Sequence, residues 1–116
     1  MKTFRELIVW QKSVELVTNI YSVTQVFPKE EIYGLTNQIR RAAVSIPSNI
    51  AEGFGRDSKK EFKRFLLISM GSIFEIQTQL EIAKNLNFFS KEEYLTTFNS
   101  TREIEAMLSA LIRKLK

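Results

Sequence analysis

A heptad repeat in the middle of the chain constrains the fold more than any other feature of the sequence. Its apolar and small residues are separated by alternating steps of four and three: Phe62, Leu66, Ser69, Ile73, Ile76, Leu80 and Ala83. This spacing puts all seven on one face of an α-helix, and it is typical of a helix that packs in a bundle. The repeat predicts a long helix that opens with Ser58 and Glu61 as a capping box and ends near residues 85–87.

Three other segments have helical spacing. The first predicted helix covers residues 4–27, with Thr3 and Glu6 as a capping box, and the second covers 29–54 and stops at its glycines. The last opens with a capping box at Ser90 and Glu93 and continues towards the end of the chain. Because short connections make successive helices antiparallel, residues 1–116 are predicted to form one all-α domain, an up-down-up-down antiparallel four-helix bundle.

Two of these helices carry more apolar surface than a single core face requires. On the first helix the predicted core seam is Leu7, Trp10, Val14, Val17, Tyr21 and Thr24, and a second stripe beside it is Val9, Leu16, Ile20, Val23 and Phe27. On the third helix the second stripe is Leu67, Met70 and Phe74, next to Phe65 and Ile68. Either the core faces are wide, or the second stripes bury a subunit interface, because monomers seldom expose patches of this size. We expect self-association.

Composition excludes much of the chemistry that enzymes use. The chain has no histidine and no cysteine, so it cannot build thiolate nucleophiles, imidazole bases or the usual zinc sites and catalytic triads. Gly53 and Gly55 lack the following lysine of a phosphate-binding loop. We therefore expect a non-enzymatic protein with no catalytic residue, no metal and no cofactor. Without cysteine or a long apolar run, we expect a cytoplasmic protein that does not enter membranes.

The net charge of +4 is unevenly distributed, since residues 65–116 hold equal numbers of each sign. Lys59 with Lys63 and Lys60 with Arg64 repel one another across one helical turn, and the helix dipole disfavours cations at this end. Phosphate groups would relieve both effects, so the candidate nucleic-acid-binding residues are Arg40, Arg41, Arg56, Lys59, Lys60, Lys63 and Arg64. The alternative is a solvated basic face without a partner. Self-association would strengthen the first interpretation, because a ring of patches makes a strong field.

Pro47 interrupts an otherwise helical pattern. It cannot donate a hydrogen bond to the carbonyl of Ala43, so we predict a proline-kinked second helix. Ser45 or Ser48 can partly satisfy the freed backbone groups, and Asn49 can fix the packing register as a buried polar residue. Structural roles account for these residues, and Glu52 is expected to pair with Arg56.

Three segments together resemble a known family. They are FRELIVWQKSVELV (4–17), FPKEEIYGLTNQIRRAAVSIPSNIAEGFGR (27–56) and EFKRFLLISMGSIFEIQTQLEIA (61–83). The chain resembles the 23S rRNA intervening-sequence proteins, a four-helix bundle family, and its relatives, the accessory variability determinant proteins of diversity-generating retroelements. The resemblance covers about the first 85 residues, and the last helix is similar only in character.

The resemblance implies a left-handed antiparallel bundle that assembles into a positively charged ring, a homopentamer. The retroelement relatives bind nucleic acid and a reverse transcriptase, whereas the intervening-sequence relatives are encoded inside ribosomal RNA genes. Arg40 and Arg41 match the arginines of the family's QIRRA segment, and the remaining candidates match its basic junction. Two functions follow: a homo-oligomeric accessory protein that binds RNA or DNA, or a homo-oligomeric protein-interaction scaffold with no direct nucleic-acid role.

Overall fold

The computed structural model describes residues 2–115, which form four α-helices and three short 3-10 turns. The helices are α1 (Ile8–Val23), α2 (Leu35–Phe54), α3 (Lys59–Asn85) and α4 (Lys91–Lys114), and the turns are Phe4–Glu6, Thr24–Val26 and Lys29–Glu31. Each long helix packs against the helices before and after it, and α1 also packs against α4. The predicted all-α four-helix bundle is confirmed. Met1 and Lys116, which the predicted domain includes, lie outside the described residues.

The three predicted capping boxes form to different degrees. At α4 the box is complete, because Ser90 accepts a hydrogen bond from the Glu93 amide and Glu93 accepts one from the Ser90 amide, each at 3.0 Å. At α3 Ser58 accepts from the Glu61 amide at 3.2 Å. The Glu61 carboxylate instead accepts hydrogen bonds from the Arg64 guanidinium. The second half of that box is therefore missing.

The first two helices start later than predicted. The Thr3 hydroxyl accepts a hydrogen bond from the Arg5 amide, but it caps only a 3-10 turn. Leu7 then has an extended backbone, and α1 begins at Ile8. The predicted start of the second helix is a separate turn, and α2 itself begins at Leu35, whose amide donates to the Glu31 carboxylate at 3.0 Å. α2 continues without a break through Pro47, and the kink stays a prediction.

The core confirms one predicted face and corrects another. Along α3 the heptad positions from Leu66 to Ala83 are all buried, and Phe62 is half-buried. On α1 the buried residues are Val9, Leu16 and Ile20 of the second stripe, together with Ser13. Thr24, directly after α1, is buried as well. The predicted seam is wrong at Val14 and Tyr21, which are 38% and 43% exposed. Ser13 lies in the core face because its hydroxyl donates to the Val9 carbonyl at 2.6 Å, so burial leaves no polar group unpaired.

None of the helices within residues 2–115 combines the length and the apolar character needed to cross a bilayer.

Candidate nucleic-acid interface

The connection between α2 and α3 places the end of one helix beside the start of the next. α2 ends at Phe54 and α3 begins at Lys59, so only four residues separate them. The amide of Gly55 donates to the carbonyls of Ala51 and Glu52, which closes the last turn of α2. The rings of Phe54 and Phe62 then meet edge to face, with their centroids 5.8 Å apart. These contacts fix the turn on which the basic residues lie.

Five of the predicted binding residues lie at this turn, and we call them the junction cluster: Arg56, Lys59, Lys60, Lys63 and Arg64. The guanidinium carbons of Arg56 and Arg64 both lie over the ring of Phe65, at 5.1 Å and 4.6 Å from its centroid. A buried aromatic ring therefore positions both arginines at the junction.

Both arginines of the junction cluster also form ion pairs. Arg56 lies 2.9 Å from the Glu52 carboxylate, as predicted, and Arg64 lies 3.2 Å from Glu61. The hydrogen bond from Arg64 lowers the pKa of Glu61, and the same bond raises the pKa of Arg64. Each pair is open to solvent, where ion pairs contribute little to stability. A phosphate can therefore replace either carboxylate at small cost.

The three lysines of the junction cluster lie in the first two turns of α3. Lys59, Lys60 and Lys63 are all exposed. Within residues 2–115 no carboxylate oxygen comes within 4.0 Å of their ammonium groups. They are thus available to an anion from solution.

Arg40 and Arg41 do not join the junction cluster. They lie 15 or 16 residues before Arg56, which corresponds to about 24 Å along a helix. Arg40 donates from Nε to Thr24 Oγ1 at 2.9 Å, and its guanidinium lies 4.6 Å from the centroid of the Tyr21 ring. Arg41 is exposed beside a shallow groove that Glu75 also lines. The structure therefore separates the seven predicted residues into two groups.

The segment around Pro47 packs α2 against α3. Ser45 donates to the Ala42 carbonyl at 2.8 Å and shares a hydrogen bond with Ser72. The side chain of Asn49, which is half-buried, donates from Nδ2 to the Ser45 carbonyl within α2 at 2.7 Å, and Ser69 of α3 donates to the Ile46 carbonyl at 3.0 Å. Sequence reasoning missed the partners Ser69 and Ser72. The sequence feature that could have revealed them is the presence of two serines on or beside the heptad face of α3, where small side chains allow close contact with α2.

The second stripe of α3 leaves large apolar side chains exposed on that helix. Leu67 is 51% exposed and Phe74 is 48% exposed, one heptad apart, and Ile68 beside them is also exposed. Met70 is half-buried and Phe65 is buried. On α3 Leu67 and Phe74 of the extra stripe therefore lie outside the core and Met70 packs against it, whereas on α1 most of the extra stripe is buried.

A solved structure and a family model both match this chain. A protein of Bacteroides thetaiotaomicron, described as of unknown function and from the S23 ribosomal protein family, has a crystal structure that matches with a TM-score of 0.85. It is 26% identical in sequence, and the match covers 91% of this chain and 96% of that one. None of the curated proteins matches this chain significantly. A model of the family described as 23S rRNA-intervening sequence protein matches residues 5–110, and the chain therefore belongs to that family.

Proposed function

We propose that this protein is a non-enzymatic accessory protein that binds nucleic acid through the junction cluster and acts as a homo-oligomer. The observation that carries the proposal is the exposure of Lys59, Lys60 and Lys63 without a carboxylate partner among the described residues. Contacts between such side chains and phosphates are independent of base sequence and sensitive to salt.

The positions of these lysines oppose the electrostatics of the helix. α4 has the distribution that stabilises a helix, with Glu92 and Glu93 in its first turn and Arg113 and Lys114 in its last. The first turn of α4 thus has two acidic residues against one lysine, Lys91, whereas that of α3 has one, Glu61, against Lys59 and Lys60, with Lys63 one turn after Lys59. The helix dipole disfavours these lysines, whereas a bound phosphate would be attracted both to the ammonium groups and to the positive end of the helix.

The arginines of the junction cluster extend the same surface. Phe65 holds the guanidinium groups of Arg56 and Arg64 near each other, and each guanidinium presents several N–H donors in a planar fork that fits phosphate oxygens. Binding of a nucleic-acid phosphate would exchange the exposed contacts to Glu52 and Glu61 for contacts to phosphate oxygens.

The family provides the choice of polyanion to test first. Its description refers to an intervening sequence of 23S rRNA, so structured RNA is the first candidate and DNA is the second. One copy carries a net charge of only +4. Several copies around an axis would combine their junction clusters into a stronger field.

Self-association is supported by the exposed stripe on α3. Burying Leu67 and Phe74 against another copy would remove apolar area from water at about 25 cal/mol per Å². The resemblance to the 23S rRNA intervening-sequence proteins implies a homopentamer, so a pentameric ring is the assembly to test first.

The test compares two charge reversals of equal size. Lys59→Glu/Lys63→Glu alters the junction cluster, and Lys2→Glu/Lys91→Glu alters two exposed lysines elsewhere that have no ion pair within residues 2–115. Fluorescence anisotropy with a labelled RNA stem-loop should show binding lost in the first variant and largely kept in the second. Equal loss in both would indicate only an effect of net charge and would contradict the proposal.

A protein-interaction scaffold is the second candidate, and one observation favours it. A groove of about 410 Å³ between α3 and α4 is lined by Phe74, Ile82 and Phe98, with Glu81 at its edge. Such a groove suits an apolar segment of another protein, for example a reverse transcriptase. For a scaffold, Lys59→Glu/Lys63→Glu should leave the protein partner bound after nuclease treatment, and Phe74→Lys should release it.

A further inference from the structure

A second polar site lies at the opposite end of α2 from the junction cluster. The end of α1 and the start of α2 enclose a cleft of about 280 Å³, which we call the α1–α2 cleft. Gln25, Phe27, Lys29, Ile32, Thr36 and Arg40 are among the residues that line it. The volume is slightly below that of pockets for drug-sized ligands, so it suits a small molecule.

Arg40 presents a fixed positive charge at the α1–α2 cleft. Its Nε donates to Thr24 Oγ1, and Nη2 lies 3.4 Å from the Tyr21 carbonyl. The Tyr21 ring covers the guanidinium at 4.6 Å. Among the described residues Nη1 has no hydrogen-bond partner, so it remains available to an acceptor.

The charges around the α1–α2 cleft favour an anion. Lys29 and Arg40 both line it, and among the described residues no acidic side chain does. Glu30 and Glu31 follow Lys29 on the same turn, but neither lines the α1–α2 cleft, and the Glu31 carboxylate accepts the amide of Leu35 at 3.0 Å. We infer that the α1–α2 cleft binds a small ligand that carries a carboxylate or phosphate group, with Arg40 and Lys29 contacting the anion.

The test uses the full chain labelled with ¹⁵N and two probes, inorganic phosphate and succinate. We expect saturable amide shifts at Gln25, Thr36 and Arg40 with at least one probe. Arg40→Gln should weaken binding by about tenfold or more, since it removes a charge-assisted hydrogen bond. The control Arg41→Gln, which changes the neighbouring arginine outside the α1–α2 cleft, should leave the affinity unchanged. Absence of saturable shifts, or equal affinity in Arg40→Gln, overturns the inference.

A second variant guards against a general loss of structure. Lys29→Gln removes the second cation of the α1–α2 cleft at an exposed position, so it should leave the melting temperature of the ligand-free protein unchanged. The ligand should then stabilise Lys29→Gln less than it stabilises the parent protein. An equal ligand-induced shift in melting temperature would contradict the role of Lys29.

A third measurement separates this site from nucleic-acid binding. In Lys59→Glu/Lys63→Glu, phosphate or succinate should still shift the amides of the α1–α2 cleft, whether or not RNA binding is lost. Shifts of the α1–α2 cleft with the RNA stem-loop, together with none for the small anions, would assign this surface to the nucleic-acid backbone and overturn the small-ligand inference.

Discussion

Gly53 lies so close to Phe65 that a Cβ added to the glycine would be 2.5 Å from the Cβ of Phe65 and 3.2 Å from Cδ1 of Phe62. α2 and α3 can therefore approach this closely only because position 53 has no side chain. The approach sets the distance between the end of α2 and the start of α3. It thereby places Arg56 beside Lys59 and Arg64.

Gly53→Ala should destabilise the protein. Overpacking against Phe65 costs about 1–3 kcal/mol, whereas alanine gains up to about 1 kcal/mol over glycine in a helix. We expect a net loss of about 1–2 kcal/mol in the free energy of unfolding, measured by urea denaturation.

Gly71→Ala is the matched control within α3. A Cβ at this exposed position would meet nothing within 4 Å, so only the gain in helix propensity remains. We expect a stabilisation of up to about 1 kcal/mol. The same sign of change at both glycines would contradict the packing described for Gly53.

Ser69→Ala should also weaken the contact between α2 and α3. Ser69 is fully buried and donates to the Ile46 carbonyl at 3.0 Å, so its loss should cost about 1 kcal/mol. Ser48→Ala changes an exposed serine of α2 and should be neutral or slightly stabilising. Denaturation curves that show equal stability for the two variants would exclude a role for the Ser69 hydrogen bond.

Tyr94 should make stability depend on alkaline pH. Its hydroxyl donates to Glu81 at 2.6 Å, and this bond, with burial, raises the pKa of Tyr94 to about 12 from its usual 10.0. Because the folded state holds the proton more tightly, this contribution is complete below about pH 10 and is lost as the pH rises towards about 12. The stability difference between the parent protein and Tyr94→Phe should therefore shrink over this range. A difference that stays constant between about pH 9 and 12 would contradict the hydrogen bond to Glu81.

The exposed stripe of α3 should control self-association. Leu67→Lys/Phe74→Lys places charges on side chains that are about half exposed in one copy. We expect a smaller particle by light scattering with an unchanged helical circular dichroism spectrum. Val26→Lys, which is 61% exposed outside the stripe, should leave the particle size unchanged. If the parent protein and the double variant scatter as particles of the same size, this stripe is not the interface.

The sequence predicted the core face of the third helix well, because its heptad runs unbroken from Leu66 to Ala83 and all of these positions are buried. The predicted core face of α1 was wrong, because two similarly apolar stripes lie side by side on this helix. The stripe that is buried also includes a serine, Ser13. The pattern of apolar residues does not reveal the hydrogen bond from Ser13 to the Val9 carbonyl, which makes this serine compatible with the core.

Sequence alone predicted the part of the candidate site whose residues are close together in the chain, and it did not predict the position of Arg40. The junction cluster is local in sequence, so the short connection alone brings Arg56, Lys59 and Arg64 together. The position of Arg40 depends on Thr24 and Tyr21 of the preceding segment. Contacts between residues so distant in sequence leave no sign in local periodicity, and the same is true of the pair Gly53 and Phe65.

The salt dependence of RNA binding tests the central proposal most directly. Each phosphate neutralised by a lysine contributes about 0.7–0.9 to the slope of log Kobs against log salt. Lys59→Gln/Lys60→Gln/Lys63→Gln should therefore reduce the magnitude of that slope by about 2–3 for each copy that contacts the RNA. A parent protein whose affinity for the RNA stem-loop does not change with salt, or a triple variant with the parent slope, would contradict the account.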